Sequence, residues 1–373
     1  MMDLRISERK VNNMSATSRI IHPGELLLSE ITKQGMNQSE LAIRTGVSAK
    51  HISTIINGTK EISVSFARKL DVALGAETGT WAKLQADYDI YMAELKEKND
   101  ITAEEINIFN GMKEIVDYFL KIGFMYNNCG VPEKIIQLRK ILCVASLTVI
   151  PKITYNAAYR AQINTSTNID PYILFAWQRI CELQTNNATI SAHFDKGLLL
   201  ESVPLIKKQM FETDPMKMIS NLKSIFSACG VAFDVVRHFR GAPVQGFIKE
   251  TNSGKVILCV TIRGKSADKF WFSLFHEIGH LVAGDLGTRF VDFDSVQNGM
   301  EVKADNYARD TLIDSKRYKS FISTKKYHSL EEIKRFSSVV GVPHWIVIGR
   351  LHKDEWLDWK YFAHETPAFE WSN

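Results

Sequence analysis

Phe270-Trp271-Phe272-Ser273-Leu274-Phe275-His276-Glu277-Ile278-Gly279-His280-Leu281-Val282 is an apolar run of helical length with His-Glu-x-x-His at its centre. Positions four apart share one face of a helix, so the imidazoles of His276 and His280 can reach the same metal ion. Neutral imidazoles suit Zn2+. Glu277, beside the first imidazole, points near the position such a metal leaves open, where a general base would hold a water. The flanks agree with a helix. Lys255-Val256-Ile257-Leu258-Cys259-Val260-Thr261-Ile262 reads as a buried, β-branched strand just upstream. Ser266-Ala267-Asp268 offers a helix start, and Gly284 with Gly287 a stop.

A site of this kind needs a third protein ligand. Glu301-Val302-Lys303-Ala304-Asp305-Asn306-Tyr307-Ala308 opens a second helical pattern downstream, with Glu301 and Asp305 four apart on one face. Glu301 can complete a His₂Glu set and leave the fourth position to water. Asp305 can accept a hydrogen bond from a ligating imidazole and so fix its tautomer. Tyr307, His344 and His352 are candidate donors to a reacting oxygen, with no spacing argument to choose among them.

These stretches resemble the ImmA/IrrE-type metallopeptidases. The likeness runs from about residue 222 onward. It covers the Gly-Val-Ala-Phe beginning at Gly230, a Pro243-Val244-Gln245-Gly246 turn, the strand and the His-Glu-x-x-His helix. Glu301-x-x-Ala304-Asp305-x-Tyr307-Ala308-x-x-x-Leu312-Ile313 resembles that family's third-ligand helix, although Asp314-Ser315 stands where the family has Met-Pro. Phe336-Ser337-Ser338-Val339-Val340-Gly341-Val342-Pro343 and Arg350-Leu351 resemble its closing helices. The resemblance implies a zincin-like domain with a small sheet, zinc held by His276, His280 and Glu301, and Glu277 as the catalytic base. It also implies a protein substrate.

A chain of 373 residues leaves room for two or three domains. Its 45% hydrophobic and 24% charged content is ordinary for a globular protein, and a formal net charge of +4 argues for no polyanion partner by itself. Five scattered cysteines without a C-x-x-C pair read as free thiols in a reducing compartment. The apolar run at 141–150 is too short to span a bilayer. No signal-peptide pattern opens the chain, so no membrane partner and a cytoplasmic location are expected.

The second dense signal lies near the N-terminus. Asn37-Gln38-Ser39-Glu40-Leu41-Ala42-Ile43-Arg44-Thr45-Gly46-Val47-Ser48-Ala49-Lys50-His51-Ile52-Ser53-Thr54-Ile55-Ile56-Asn57-Gly58 reads as a short helix capped by Asn37, a turn at Gly46 and a second helix capped by Ser48. Ala42, Val47, Ile52 and Ile55 supply the contacts that hold two crossed helices, which is helix-turn-helix logic. The second helix would then enter a major groove, with Ala49, Lys50 and Thr54 outward. Lys50 can donate to guanine, and Ala49 or Thr54 can meet a thymine methyl. Gln38, Ser48 and Asn57 sit where short polar groups hold phosphates. One such domain offers few contacts, so a homodimer on a two-fold double-stranded DNA operator is expected.

Residues 21–91 resemble the HigA-type (Xre-class) antitoxin repressors. The matching phrases are His22-Pro23-Gly24-Glu25, Leu74-Gly75 and Trp81-Ala82-Lys83-Leu84-Gln85-Ala86-Asp87-Tyr88-Asp89. The resemblance implies a dimer that represses its own operon.

Between the two signals lie helical patterns and no motif that carries chemistry. A long helix over 80–98 carries Trp81, Leu84, Tyr88, Tyr91 and Leu95 as a core or dimer stripe. Helices are expected over 103–120, 133–149, 157–160, 171–183 and 198–211. Ala157-Ala158-Tyr159-Arg160 and Ala176-Trp177-Gln178-Arg179 resemble the linking region of long fusions of the two families. The aromatic residues near Trp359, Phe369 and Trp371 are expected to pack back onto the body. The expected fold is α+β. Its parts are a flexible lead-in (1–19), an all-α helix-turn-helix domain (20–98), a helical connector or sensor (99–215) and a peptidase domain (216–373). The expected function is a DNA-binding autorepressor with a zinc endopeptidase, acting in toxin–antitoxin, prophage or stress-response control on a protein substrate or a cognate toxin or repressor. The alternatives are a repressor whose peptidase fold is an inactive sensor or partner platform, and a peptidase whose helix-turn-helix binds only protein.

Overall fold

The structure, a computed structural model, describes residues 21–153, 169–186, 188, 190, 193–251, 254–262, 265–284, 290–293 and 299–369. The lead-in, the 157–160 helix, Gly287 and Trp371 lie outside the described residues. The chain divides into two compact units, one ending at Thr102 and one beginning at Ala103. Of the connector read from sequence over 99–215, residues 103–215 belong to the same unit as the C-terminal half.

The first unit is all helix: α1 (Pro23–Lys33), α2 (Gln38–Thr45), α3 (Ala49–Ile56), α4 (Val64–Ala73) and α5 (Thr80–Asn99). Short polar side chains start three of them. Asn37 accepts from the Glu40 N–H, Ser48 from that of His51 and Ser63 from that of Phe66, satisfying donors the first turn leaves over. Leu27, Leu41, Ile52, Ile55, Phe66 and Leu70 close one core between them. Two polar side chains buried in this unit fix the approach of α5. The Asp71 carboxylate accepts from the Gly79 and Trp81 N–H groups at 2.8 and 3.2 Å, and Gln85 Oε1 accepts from the Ile62 N–H at 3.0 Å. Of the stripe expected along α5, Trp81 is buried, while Leu84, Tyr88, Tyr91 and Leu95 are half-buried.

The second unit begins with α6 (Ala103–Gly111), α7 (Lys113–Lys121) and α8 (Val131–Leu142). The single helix expected over 103–120 is broken at Met112, where Asn110-Gly111, poor helix formers, end α6 and the chain turns. The helix expected over 133–149 stops at Cys143, which takes a left-handed conformation, and a 3₁₀ turn follows over Leu147–Lys152. Then come α9 (Pro171–Thr185), α10 (Lys196–Lys208), α11 (Pro215–Ala228), β1 (Val231–Val236), β2 (Val244–Glu250), β3 (Val256–Thr261), α12 (Ala267–Ala283), β4 (Phe290–Phe293) and α13 (Gly299–Leu312). The unit closes with α14 (Ser315–Ser323), α15 (Leu330–Val340) and α16 (His344–Lys353).

The strands form one sheet in the order β1-β3-β2-β4, with β1 parallel to β3 and β2 antiparallel to both its neighbours. β3 is buried at every position; its run is apolar from Val256 to Val260, and the buried Thr261 hydroxyl donates to the Val244 carbonyl at 2.9 Å. Successive residues of β2 serve opposite faces. Phe247 meets the Trp177 ring of α9 edge-on at 6.1 Å, while Ile248 joins the core shared with α12. Trp177 also donates to the Arg237 carbonyl, and Glu182 of α9 pairs with Lys249 of β2 at 2.5 Å. These contacts tie the connector helix to the sheet. On the other face α12 carries Phe270, Trp271, Leu274, Phe275, Ile278 and Leu281 into the core. The Phe369 ring meets Phe270 edge-on at 5.5 Å, so the C-terminal segment does pack back onto this helix. Among the described residues no helix is long and apolar enough to cross a membrane, and all five cysteines are free thiols.

Candidate metal centre and nucleic-acid interface

The His-Glu-x-x-His run is helical throughout, from Ala267 to Ala283. Its start differs in detail from the expected cap. The Ser266 hydroxyl pairs with the Asp268 carboxylate rather than with the backbone. Its stop is as expected: Gly284 is left-handed, and its N–H returns to the His280 carbonyl at 3.1 Å.

α13 crosses α12 closely because both present small residues at the crossing. A Cβ on Gly279 would lie 3.0 Å from the Ala304 Cα and 3.2 Å from its carbonyl oxygen. That approach brings Glu301, one turn before Ala304, over the histidines. His276 Nε2 lies 3.0 Å from Glu301 Oε2 and 3.0 Å from His280 Nε2, and His280 Nε2 lies 3.4 Å from the same Glu301 oxygen. Tetrahedral zinc with ordinary bond lengths separates its donors by about 3.3 Å, so the triangle has the size such an ion needs. His276 Nδ1 is 2.8 Å from Asp305 Oδ1. If it donates there, Nε2 carries a lone pair that can serve a metal ion. Burial alone would raise the Glu301 carboxyl, but hydrogen bonds and charge from the two imidazoles outweigh it and hold it down to about 2. His276, His280 and Glu301 thus fit a metal ion.

Glu277 is fully buried beside His276, and the sheet is shaped around it. A Cβ on Gly246 of β2 would sit 1.9 Å from Glu277 Oε1, so only glycine leaves room for the carboxylate. The Pro243–Gly246 phrase, read from sequence as a turn, instead runs into strand β2. Next to Gly246, Gln245 Oε1 accepts a hydrogen bond from the Ser273 hydroxyl at 2.8 Å. Ser273 does not stand out in the sequence, and Gln245 stands out only as part of that phrase. Of the three candidate oxygen donors, His344 pairs with Glu365 at 2.8 Å and His352 with the Tyr361 carbonyl at 2.9 Å, both away from the triad. Tyr307 packs against Gly279, and burial raises its phenol above the usual range, partly offset by a hydrogen bond with Thr311.

In the first unit five of the six expected interface residues lie along α3 and at its two caps, and Gln38 lies on α2. Ala49 and Lys50 are exposed in its first turn, and exposed Ser48 caps it. Asn57, exposed at the C-terminal end, donates from its amide to Ser53 Oγ at 3.4 Å. Thr54 is less available than its position suggests. It is half-buried, and its hydroxyl donates to the His51 carbonyl at 2.8 Å. Gln38 opens α2 and is half-buried. Sequence reading missed Lys60, whose ammonium lies 3.2 Å from His51 Nδ1. Burial first, then the charges of Lys60 and Lys69, hold the His51 imidazole below its usual range. The outward face of α3 therefore presents Lys50 with Lys60 nearby, and Ser53 with Asn57, a combination suited to phosphates and base edges.

A helix-turn-helix family model matches residues 29–81. Virulence-associated protein A' of Dichelobacter nodosus is 39% identical over 70 residues, which are 18% of this chain and 61% of that protein. Virulence-associated protein I of the same organism is 35% identical over 75 residues, 20% of this chain and 69% of that protein. Among solved structures, an addiction module antidote protein of a HigA family from Coxiella burnetii is 31% identical, covering 22% of this chain and 97% of that one with a TM-score of 0.21. These matches concern the N-terminal part of the chain.

Proposed function

Through residues 29–81 this chain belongs to the helix-turn-helix family, and from that premise we propose a DNA-binding regulator of the repressor or antitoxin kind whose C-terminal unit holds a zinc-dependent endopeptidase site. The DNA-binding half rests on α2 and α3, capped and crossed as a helix-turn-helix, with Lys50 outward. The antitoxin-like role follows the resemblance of residues 21–91 to HigA-type repressors. On that reading the protein binds, as a homodimer, an operator upstream of its own gene. Its five free thiols accord with work in the cytoplasm.

The peptidase half is carried by one observation: the donor atoms of His276, His280 and Glu301 converge at zinc-ligand spacing, with Glu277 buried beside them. Bound zinc would supply a Lewis acid and draw the pKa of a water towards neutrality. The chain's own residues do the rest. Asp305 holds His276 in the tautomer that turns Nε2 to the centre. Glu277, its carboxylate set against the β2 backbone at Gly246, takes a proton from the attacking water and returns it to the leaving amine. The substrate would be a regulator, a cognate toxin or a second repressor.

The test combines metal content with cleavage. Purified protein is expected to carry one zinc per chain, His280→Ala none, and Glu277→Gln zinc without cleavage of an unstructured protein such as casein. Equal zinc in the parent and in His280→Ala removes the metal centre. Zinc retained with no cleavage by the parent under any condition leaves the site as a sensor or partner platform.

A further inference from the structure

One surface of the second unit has no part in the metal centre. Ser315-Lys316-Arg317-Tyr318-Lys319-Ser320-Phe321-Ile322-Ser323-Thr324-Lys325-Lys326-Tyr327-His328-Ser329 holds five Lys and Arg and no carboxylate, more positive charge than the formal net +4 of the whole chain. The run forms α14 and a 3₁₀ turn over Lys326–His328. Its inner side is pinned to the body. Phe321 stacks on Phe336 of α15 with ring centroids 4.3 Å apart, and Tyr318 meets the Arg350 guanidinium at 3.9 Å. With Tyr318 and Phe321 inward, helical spacing turns Lys316 and Lys319 outward. All five cations are exposed. The neighbouring carboxylates are engaged elsewhere or reach only one end. Asp314 accepts from the Arg317 N–H as the cap of α14, Asp310 holds the Ser315 hydroxyl, and Glu331 and Glu332 take Arg335. Lys326 faces Glu332 at 3.8 Å, and Arg317 donates to the Val339 carbonyl at 3.2 Å. Among the described residues no carboxylate comes within ion-pair distance of Lys316, Lys319 or Lys325.

A single-sign surface of this kind suits a polyanion, and two features choose which. A helix that lies on a membrane sinks apolar side chains into it, whereas the aromatic residues of α14 are buried in the protein's own core. The same chain carries a helix-turn-helix over residues 29–81, so a duplex held there raises the local concentration of phosphates around the second unit. We propose that Lys316, Lys319 and Lys325 bind the phosphate backbone of double-stranded DNA, giving the second unit a sequence-independent DNA contact of its own. This inference rests on the DNA-binding reading of the first unit and is independent of the metal centre.

The probe is a fluorescently labelled duplex of random sequence, titrated with the full chain across a salt series. Each neutralised phosphate adds about 0.9 to the slope of log affinity against log salt, so the triple variant Lys316→Gln, Lys319→Gln, Lys325→Gln is expected to flatten that slope by about 2.7. Between about 50 and 200 mM salt the parent then loses roughly fortyfold more affinity than the variant. Arginine at the same three positions keeps the charge and is expected to keep the slope. The flattening is expected again in a Lys50→Ala background, so the two DNA contacts can fail separately. A glutamine variant with the parent's slope overturns the role of α14 and leaves the helix-turn-helix standing. An arginine variant as flat as the glutamine one overturns it too, since the effect would then be one of shape rather than charge. Lysine-dependent binding to phosphatidylserine vesicles, with the DNA slope unchanged, assigns the surface to a membrane instead. A parent that binds no duplex overturns both DNA contacts together.

Discussion

Gly279 and Ala304 meet at the crossing of the two metal-site helices, so closely that a side chain on Gly279 would press on the Ala304 backbone at 3.0 Å. Glu301 and Asp305 flank Ala304, which means the crossing sets how far both carboxylates stand from His276. Gly279→Val should therefore damage the centre more than the fold. The expected outcome is near-parental helical content by circular dichroism with most of the zinc lost on dialysis. Retention of a full zinc complement would show that the spacing does not depend on this contact.

Asp305 offers a gentler test of the same centre. Its carboxylate lies 2.8 Å from His276 Nδ1 and reaches no metal-facing nitrogen. Removing such an outer partner usually costs about 10–100-fold in metal affinity. Asp305→Ala is expected to lower zinc affinity within that range, measured by competition with a chromogenic chelator, and Asp305→Asn to lower it less. A loss as complete as that of His280→Ala would make Asp305 a ligand rather than an orienting group.

For the DNA-binding half, the structure ranks the expected residues. Lys50 is exposed at the start of α3, whereas the Thr54 hydroxyl is turned to its own helix. Lys50→Ala should weaken binding to the DNA upstream of the protein's own gene, and Thr54→Ala should weaken it less. If Lys50 meets a phosphate, the slope of log affinity against log salt falls by about one; if it meets a base, specificity relaxes at one position. Gel shifts across a salt series distinguish the two. Binding untouched by Lys50→Ala and Asn57→Ala together would remove α3 as the reading helix.

How much of this was legible beforehand follows from the range of each signal. The caps Asn37 and Ser48, the Gly284 stop and the four-residue spacing of His276 with His280 are local, and local chemistry reads directly from sequence. Glu301 was also reachable, because its helical spacing from Asp305 matched a known ligand pattern. The contact of Gln245 with Ser273 was not, because it sits at a register shift against a strand some forty residues later. The break at Met112 and the attachment of α9 to the sheet were hidden for a similar reason. Trp177 and Phe247 look like any apolar residues until the strand order brings them together.

The second unit also carries a buried ion pair far along the chain from the metal motif. Glu105 of α6 takes a two-pronged bond from Arg139 of α8, and its Oε1 also accepts from the Leu147 N–H at 2.7 Å and the Ser146 hydroxyl at 3.2 Å. Both partners are buried. Burial would raise the Glu105 carboxyl, but Arg139 and the Leu147 N–H outweigh it and hold it below the ordinary range. A carboxyl depressed in the folded state adds stability that is fully present above its unfolded pKa and is lost as pH falls through the folded one. Stability should therefore decline from about pH 5 downward, and Glu105→Gln should flatten that decline while lowering stability at pH 7. Arg139→Met strands a buried carboxylate and is expected to cost about 3–5 kcal/mol at pH 7. The double variant Glu105→Leu with Arg139→Met leaves no charge behind, so it should be more stable than Arg139→Met alone. Urea titrations of the parent, Glu105→Leu, Arg139→Met and the double variant at pH 7 and pH 4 close the cycle. A double variant that loses the sum of the two single losses would mean the pair is not coupled, and that α6 and α8 are held by their apolar contacts alone.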